Sequence, residues 1–309
     1  MHEETKEFLF LLILLMIFGI IYAVYTVPTQ IASGQGIPYP DPRLADIHEE
    51  SWAETGPRIF SAFILFSVLS VFIAIILTLV WRSWRLYGGE RRHILVLFGK
   101  ALGLYLISTV SAVISLIAFL VFQKSYVTNN IFGLVYPVLL PITYAFSAVA
   151  AYYTFKFSYW FAFREEPAFS RKLTILLPLF LLLIVMVSPY NWYGAYTLDK
   201  SIPNIRPITN VILFVILLLA IVQSLIFIKA RLSVETDPIN RARIKTIMLG
   251  FALVLAIYIF NVIYEIFMTK MLIIFILSYF ITGLSIILVY LGLISPRFYM
   301  RYLERRLSK

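Results

Sequence analysis

The sequence predicts an all-α integral membrane protein, a polytopic bundle of about eight transmembrane helices with both termini cytoplasmic. Three observations carry this. The 309 residues are 61% hydrophobic and only 14% charged, with a mean hydropathy of +0.90, far from the balance of a soluble domain. Apolar runs long enough to cross a bilayer, about 20 residues each, recur from end to end. Lysine and arginine collect in alternate loops between those runs, as the retention of basic loops on the cytoplasmic side requires.

The expected spans are 8–27, 59–81, 101–122, 131–155, 173–190, 207–228, 246–268 and 271–294. The first follows "MHEETKE", which is more acidic than basic, and is too long for the apolar core of a signal peptide; it reads as a retained helix. The next stretch, 28–58, is rich in proline and glycine and carries Asp41, Asp46, His48, Glu49, Glu50 and Glu54. One histidine among carboxylates is not a metal motif, so it reads as a solvated external loop. The segment 59–294 forms a seven-helix core. Its last two spans are joined by "MTKM" and predict a tight helical hairpin. A basic tail, 295–309, has the composition of a short amphipathic helix after Pro296. All of this forms a single membrane domain, 1–309.

Orientation follows from the basic residues. Lys6, the loop cations Arg82 to Lys100, Lys156 to Lys172 and Lys229 to Lys245, and the tail from Arg297 to Lys309 hold twenty of the 26 lysines and arginines. The alternate loops hold Arg43, Arg58, Lys124, Lys200, Arg206 and Lys270. Tryptophans and tyrosines sit at both sets of helix ends, as interfacial belts do. A net charge of +10 distributed this way points to anionic lipid headgroups and away from nucleic acid. The expected location is the cytoplasmic membrane, multi-pass.

The chemistry is sparse. There is no cysteine, and the three histidines, His2, His48 and His93, lie outside the expected spans, so neither a haem ligand pair nor a thiolate site is available. The sequence contains no GxxxxGK[ST], HExxH or GxSxG. No enzyme, cofactor or metal is expected. Transporters display mid-membrane charges or matched broken helices; here the prolines Pro137, Pro141, Pro178 and Pro189 show no repeat between halves. Ser108, Ser111, Ser115 and Ala118 share one face of the third span and predict close helix packing. Gln223 reads as interhelical glue.

Polar residues gather toward the outer ends of spans five to seven. Tyr258, Asn261 and Glu265 follow one another at helical spacing on one face, and Tyr264 stands beside Glu265. Asn191 and Trp192 lie at the end of the fifth span and Asn210 at the start of the sixth. These seven residues are the candidate ligand-binding set of an outward-opening pocket.

The quoted segments "WRSWRLYGGERR", "LLPLFLLLIVMVSPYNWY", "RARIKTIMLGFALVLAIYIFNVIY" and "IFILSYFITGLSIILVYLGLISPR" resemble, from about 59 to 297, the seven-transmembrane N-terminal sensor region of prokaryotic histidine kinases. The resemblance implies a signal-sensing membrane domain and carries over Asn261 and Tyr264. No phosphoacceptor histidine or ATP-binding segment follows Lys309, so the output is expected from a separate cytoplasmic signalling protein. The expected function is therefore a receptor-like sensor that binds a ligand or lipid in its outer half. An accessory or scaffold subunit of a larger membrane complex is the second reading, and a small-solute transporter the third.

Overall fold

The computed structural model describes residues 2–21, 52–122, 135–188, 205–267 and 272–307. Among them every regular element is helical: α1 (His2–Ile20), α2 (Trp52–Leu86), α3 (Gly89–Phe122), α4 (Val135–Phe163), α5 (Phe169–Val187), α6 (Arg206–Val234), α7 (Pro238–Phe267), α8 (Leu272–Ile294) and α9 (Arg297–Leu307). Six of these, α2, α3, α5, α6, α7 and α8, are long and apolar enough to cross a membrane. The chain is thus an all-helical, multi-pass membrane protein. The first and fourth expected spans, 8–27 and 131–155, overlap α1 and α4, which are not among the six, and their residues 22–27 and 131–134 lie outside the described residues. The loop expected at 28–58 lies largely outside the described residues, as does "MTKM".

Several helices, α2, α3, α4, α6 and α7, are longer than the spans drawn for them. At about 1.5 Å per residue, α2 with its 35 residues is some 50 Å long, well beyond a hydrocarbon core of about 30 Å. The surplus consists of charged turns. α3 begins at Gly89, twelve residues before the expected start, so Arg91, Arg92 and His93 occupy its opening turns. His93 therefore belongs to a helix inside the membrane-competent stretch Gly89–Ile117.

The chain divides into two compact units. The first comprises Met1–Ser67, Ile107–Val149 and Leu176–Val215. Here α1 buries Leu11, Leu15 and Phe18 on one stripe and exposes Phe10, Ile13, Met16, Ile17 and Ile20. An apolar surface of that kind is matched to lipid, which is as apolar as the side chains themselves. Three of the small residues of α3 pack as their spacing predicts, and the side chain of Ala118 lies outside the description. Ser108, Ser111 and Ser115 are buried, and the Ser108 hydroxyl donates to the Thr143 carbonyl (3.0 Å) and pairs with Ser147 (2.7 Å) on α4.

The second unit comprises Val68–Leu106, Ala150–Ile175 and Ile216–Lys309. Its centre is the later half of α4, where Ala150, Ala151, Tyr152, Tyr153, Phe155, Lys156, Phe157 and Ser158 are all buried. A helix covered on every side faces protein, not lipid, which lets it carry tyrosines, a serine and a lysine. Ring contacts surround it: Phe157 with Phe98 of α3 (5.4 Å) and Phe251 of α7 (6.3 Å), and Phe155 with Phe227 of α6 (5.8 Å). Gln223 of α6 donates to Thr174 of α5 (3.2 Å), the interhelical role its sequence position suggests.

α7 and α8 pack antiparallel at backbone distance. A Cβ on Gly250 would stand 2.8 Å from Val289 Cγ2 and 2.9 Å from the Ser285 carbonyl oxygen. A Cβ on Gly292 would stand 2.5 Å from Ile247 Cγ1 and 2.7 Å from the Arg243 carbonyl oxygen. Gly283 of α8 has nothing within 4 Å of such a Cβ. Replacing Gly292 by Leu is expected to destabilise the protein by about 1–3 kcal/mol through overpacking, seen as a lower midpoint of thermal unfolding in mild detergent. Gly283→Ala should leave the midpoint unchanged or raise it, since alanine favours the helix; equal losses in both variants would refute the close contact.

Candidate functional site

The second unit contains a cavity of about 170 Å³ built from helix ends. Four arginines line it: Arg91 of α3, Arg164 just after α4, Arg231 of α6 and Arg243 of α7. Glu235 is the one carboxylate among the lining residues, and Tyr87, Asn240 and the carboxyl end of α8 complete the polar rim. The wall is apolar, with Ile94, Leu95, Ile244 and Ile247 all buried.

Local chain geometry places each cation. α4 ends at a left-handed residue, Arg164 (φ 61°), whose amide donates to the Trp160 carbonyl (2.9 Å). This position usually takes glycine, and an arginine there costs about 1–2 kcal/mol. Its guanidinium lies 5.7 Å from the Trp160 ring and 3.6 Å from Glu90. Arg231 is held one turn before Glu235, at 3.0 Å. α7 opens on "DPIN": Pro238 is its first residue, and Asp237 accepts from the Asn240 amide (2.9 Å), the arrangement that stabilises a helix start. Two turns of that helix carry Arg243 into reach of α8.

Arg243 is the most engaged of the four. It donates to the carbonyls of Gly292 (3.3 Å) and Leu293 (3.1 Å) and to Asn240 Oδ1 (3.1 Å). The last carbonyls of a helix have no partner within it, and a cation there also meets the negative end of the helix dipole. Beyond them Ser295 turns the chain (φ 51°), and Tyr299 of α9 pairs with Thr246 of α7 at 2.6 Å.

Electrostatics within the cavity are unbalanced. Burial pushes the Arg164 guanidinium down from its ordinary value; Glu90 opposes this, while Arg231 and Arg91 add to it. Arginine stays charged at neutral pH regardless, so neighbouring cations confront one another. Two of them, Arg164 and Arg231, have carboxylate partners. Among the described residues no carboxylate lies within ion-pair distance of Arg91 or Arg243.

A second cluster sits in the same unit. Lys156, 1% exposed, reaches Glu166 at 3.1 Å; Lys172 meets the same oxygen at 3.6 Å, and His93 the other at 3.7 Å. His93 lies 4.5 Å from the ring of Trp160. Glu166 belongs to the segment between α4 and α5, so this pair ties that connection to the buried helix. By sequence Lys156 reads as an inner-loop cation; it is instead buried in α4, which runs eight residues past the expected span end.

Of the candidate ligand-binding set, Asn191 and Trp192 lie outside the described residues. Asn261, Tyr264 and Glu265 fall on α7, but their side chains are also outside the description. Asn210 is exposed on α6. Tyr258 is hydrogen-bonded to Tyr105 of α3, a helix-packing contact. The arginine cavity escaped sequence reasoning because its cations served only as markers of orientation. The available signal was their position: each stands within two turns of a helix end.

Glu166→Gln would leave Lys156 buried beside a neutral group. Since Glu166 is itself partly exposed, the expected loss is about 1–3 kcal/mol, below the full cost of breaking a buried pair. The double variant Lys156→Met with Glu166→Gln should recover most of that loss in thermal unfolding; additive losses would show that the two side chains do not interact.

No family model, curated protein or solved structure matches this chain.

Proposed function

We propose that the chain is a receptor-like membrane protein of eight spans, with both termini cytoplasmic, that recognises an anionic ligand and passes the change to a separate cytoplasmic partner. One observation carries this reading: arginines from α3, α6 and α7 and from the end of α4 converge on a single cavity that α8 closes. With the basic loops on the inner side, that cavity faces the cytoplasmic leaflet, where acidic headgroups concentrate. This reading places the site at the inner ends of the helices; the outer set around Asn261 and Tyr264 lies outside the described side chains.

The mechanism is a shift between two helix packings with different ligand affinity. Arg243 contributes to the end of α8 and to the cavity at once, so a bound anion competes for its guanidinium. Weakening the contacts to Gly292 and Leu293 loosens the junction with α9, which leads to the tail. No enzymatic step is needed for this role.

Extraction from native membranes in mild detergent, followed by mass determination, separates this reading from an accessory-subunit role. The receptor reading expects one polypeptide species, alone or self-associated, carrying a small acidic ligand. A stoichiometric assembly with other membrane proteins would contradict it.

A further inference from the structure

The anion-recognition reading leaves open which anion the cavity takes, and the answer rests on charge, size and shape. Glu235 is matched to Arg231 and Glu90 to Arg164. Asp237 is engaged at the start of α7, and Asn240 Oδ1 accepts from Arg243. What remains without a direct ion pair is two guanidinium groups, Arg91 and Arg243, which lie within electrostatic reach of each other; Asp237 acts on Arg243 only from beyond ion-pair distance. A phosphomonoester, with about −1.5 to −2 charge at pH 7 and three terminal oxygens, can engage both guanidinium groups at once. A carboxylate has only two oxygens to share between them.

Size agrees. The cavity of about 170 Å³ holds five or six water-sized groups at roughly 30 Å³ each. That is room for a phosphate and its first linking atoms, and it is below the roughly 300 Å³ at which sites for drug-sized molecules begin. Guanidinium forks present paired donors to phosphate oxygens. Arg243 directs three donor contacts to fixed acceptors, which leaves two of its five N–H groups. Arg91 is exposed at the rim and stacks over Tyr87 (5.7 Å), which limits its freedom before a ligand arrives.

We infer that the cavity is a phosphomonoester site, with Arg91 and Arg243 as the recognition pair and Arg164 and Arg231 as supporting cations. The phosphate can come from a lipid headgroup of the phosphatidic acid type or from inorganic phosphate. The buried Ile94, Leu95 and Ile247 beside the arginines keep the base of the site dry and strengthen charged contacts there.

Native mass spectrometry of the detergent-solubilised full chain tests this, with phosphatidic acid, inorganic phosphate and oleate titrated separately. Arg91→Gln is expected to weaken phosphatidic acid retention by at least about tenfold, the scale of a lost charge-assisted hydrogen bond. Arg241→Gln removes the same charge from an exposed position of α7 that does not line the cavity and should change nothing. Arg91 makes no described contact that holds helices together, and circular dichroism checks that the variant folds. If inorganic phosphate is retained in the same Arg91-dependent way, the phosphate group alone suffices; if only phosphatidic acid is, the ligand is the lipid. Equal weakening by Arg91→Gln and Arg241→Gln, or none by either, overturns the inference in favour of diffuse surface attraction. Arg91-dependent retention of oleate without phosphatidic acid overturns the phosphate assignment and leaves the anion-recognition reading standing. Retention of none of the three overturns both.

Discussion

Arg243 joins the end of one helix to the start of another, and much of the second unit depends on that contact. The terminal carbonyls of α8 have no partner further along the helix, and Ser295 Oγ donates to those of Leu291 and Gly292. A single side chain on α7 meets those of Gly292 and Leu293. It can do so only because Gly292 lets the α7 backbone approach α8 within a distance that no Cβ allows. Beside this contact lie the antiparallel pairing of α7 and α8, the left-handed turn at Ser295, and the seating of α9 through Tyr299 and Leu303, both buried. The same guanidinium forms one side of the cavity. Structure and recognition therefore draw on a shared group, which is what a ligand must perturb to be felt elsewhere.

The other fixed point is Lys156. An ammonium enclosed within a bundle persists only with a partner, and Glu166 supplies it from the connection after α4. That connection also contains Arg164, whose left-handed backbone directs a cation to the cavity. The two clusters are thus linked through three residues of chain. Tension between them is electrostatic: Lys172 and His93 share the carboxylate that neutralises Lys156, while Arg164 is crowded by Arg231 and Arg91.

Much of the helix plan was legible from hydropathy alone, because crossing a bilayer demands long apolar runs and little else. The serine face of α3 and the role of Gln223 were legible too, since small and amide side chains have few uses within lipid other than packing. The exact ends of helices were not. Arg91, Lys156 and Arg243 look like loop cations under a rule that only counts basic residues, yet all three are helical. The cavity was hidden for the same reason: hydropathy records charge near a helix end without saying whether the side chain turns to water, to lipid or to a neighbouring helix. Gly250 and Gly292 carry no signal by spacing, since their partners lie on a different helix. The outer cluster around Asn261 and Tyr264 was read from helical periodicity. Periodicity aligns residues on a face but does not say what the face meets; for Tyr258 it meets Tyr105.

The central claim is that the arginine cavity is an anion site. The most direct measurement is an experimental structure of the protein in a lipid nanodisc containing phosphatidic acid. The account predicts phosphate density within hydrogen-bonding distance, about 3 Å, of both Arg91 and Arg243. A cavity filled only by water, with acidic lipid spread evenly around the basic ends of the helices, would contradict it.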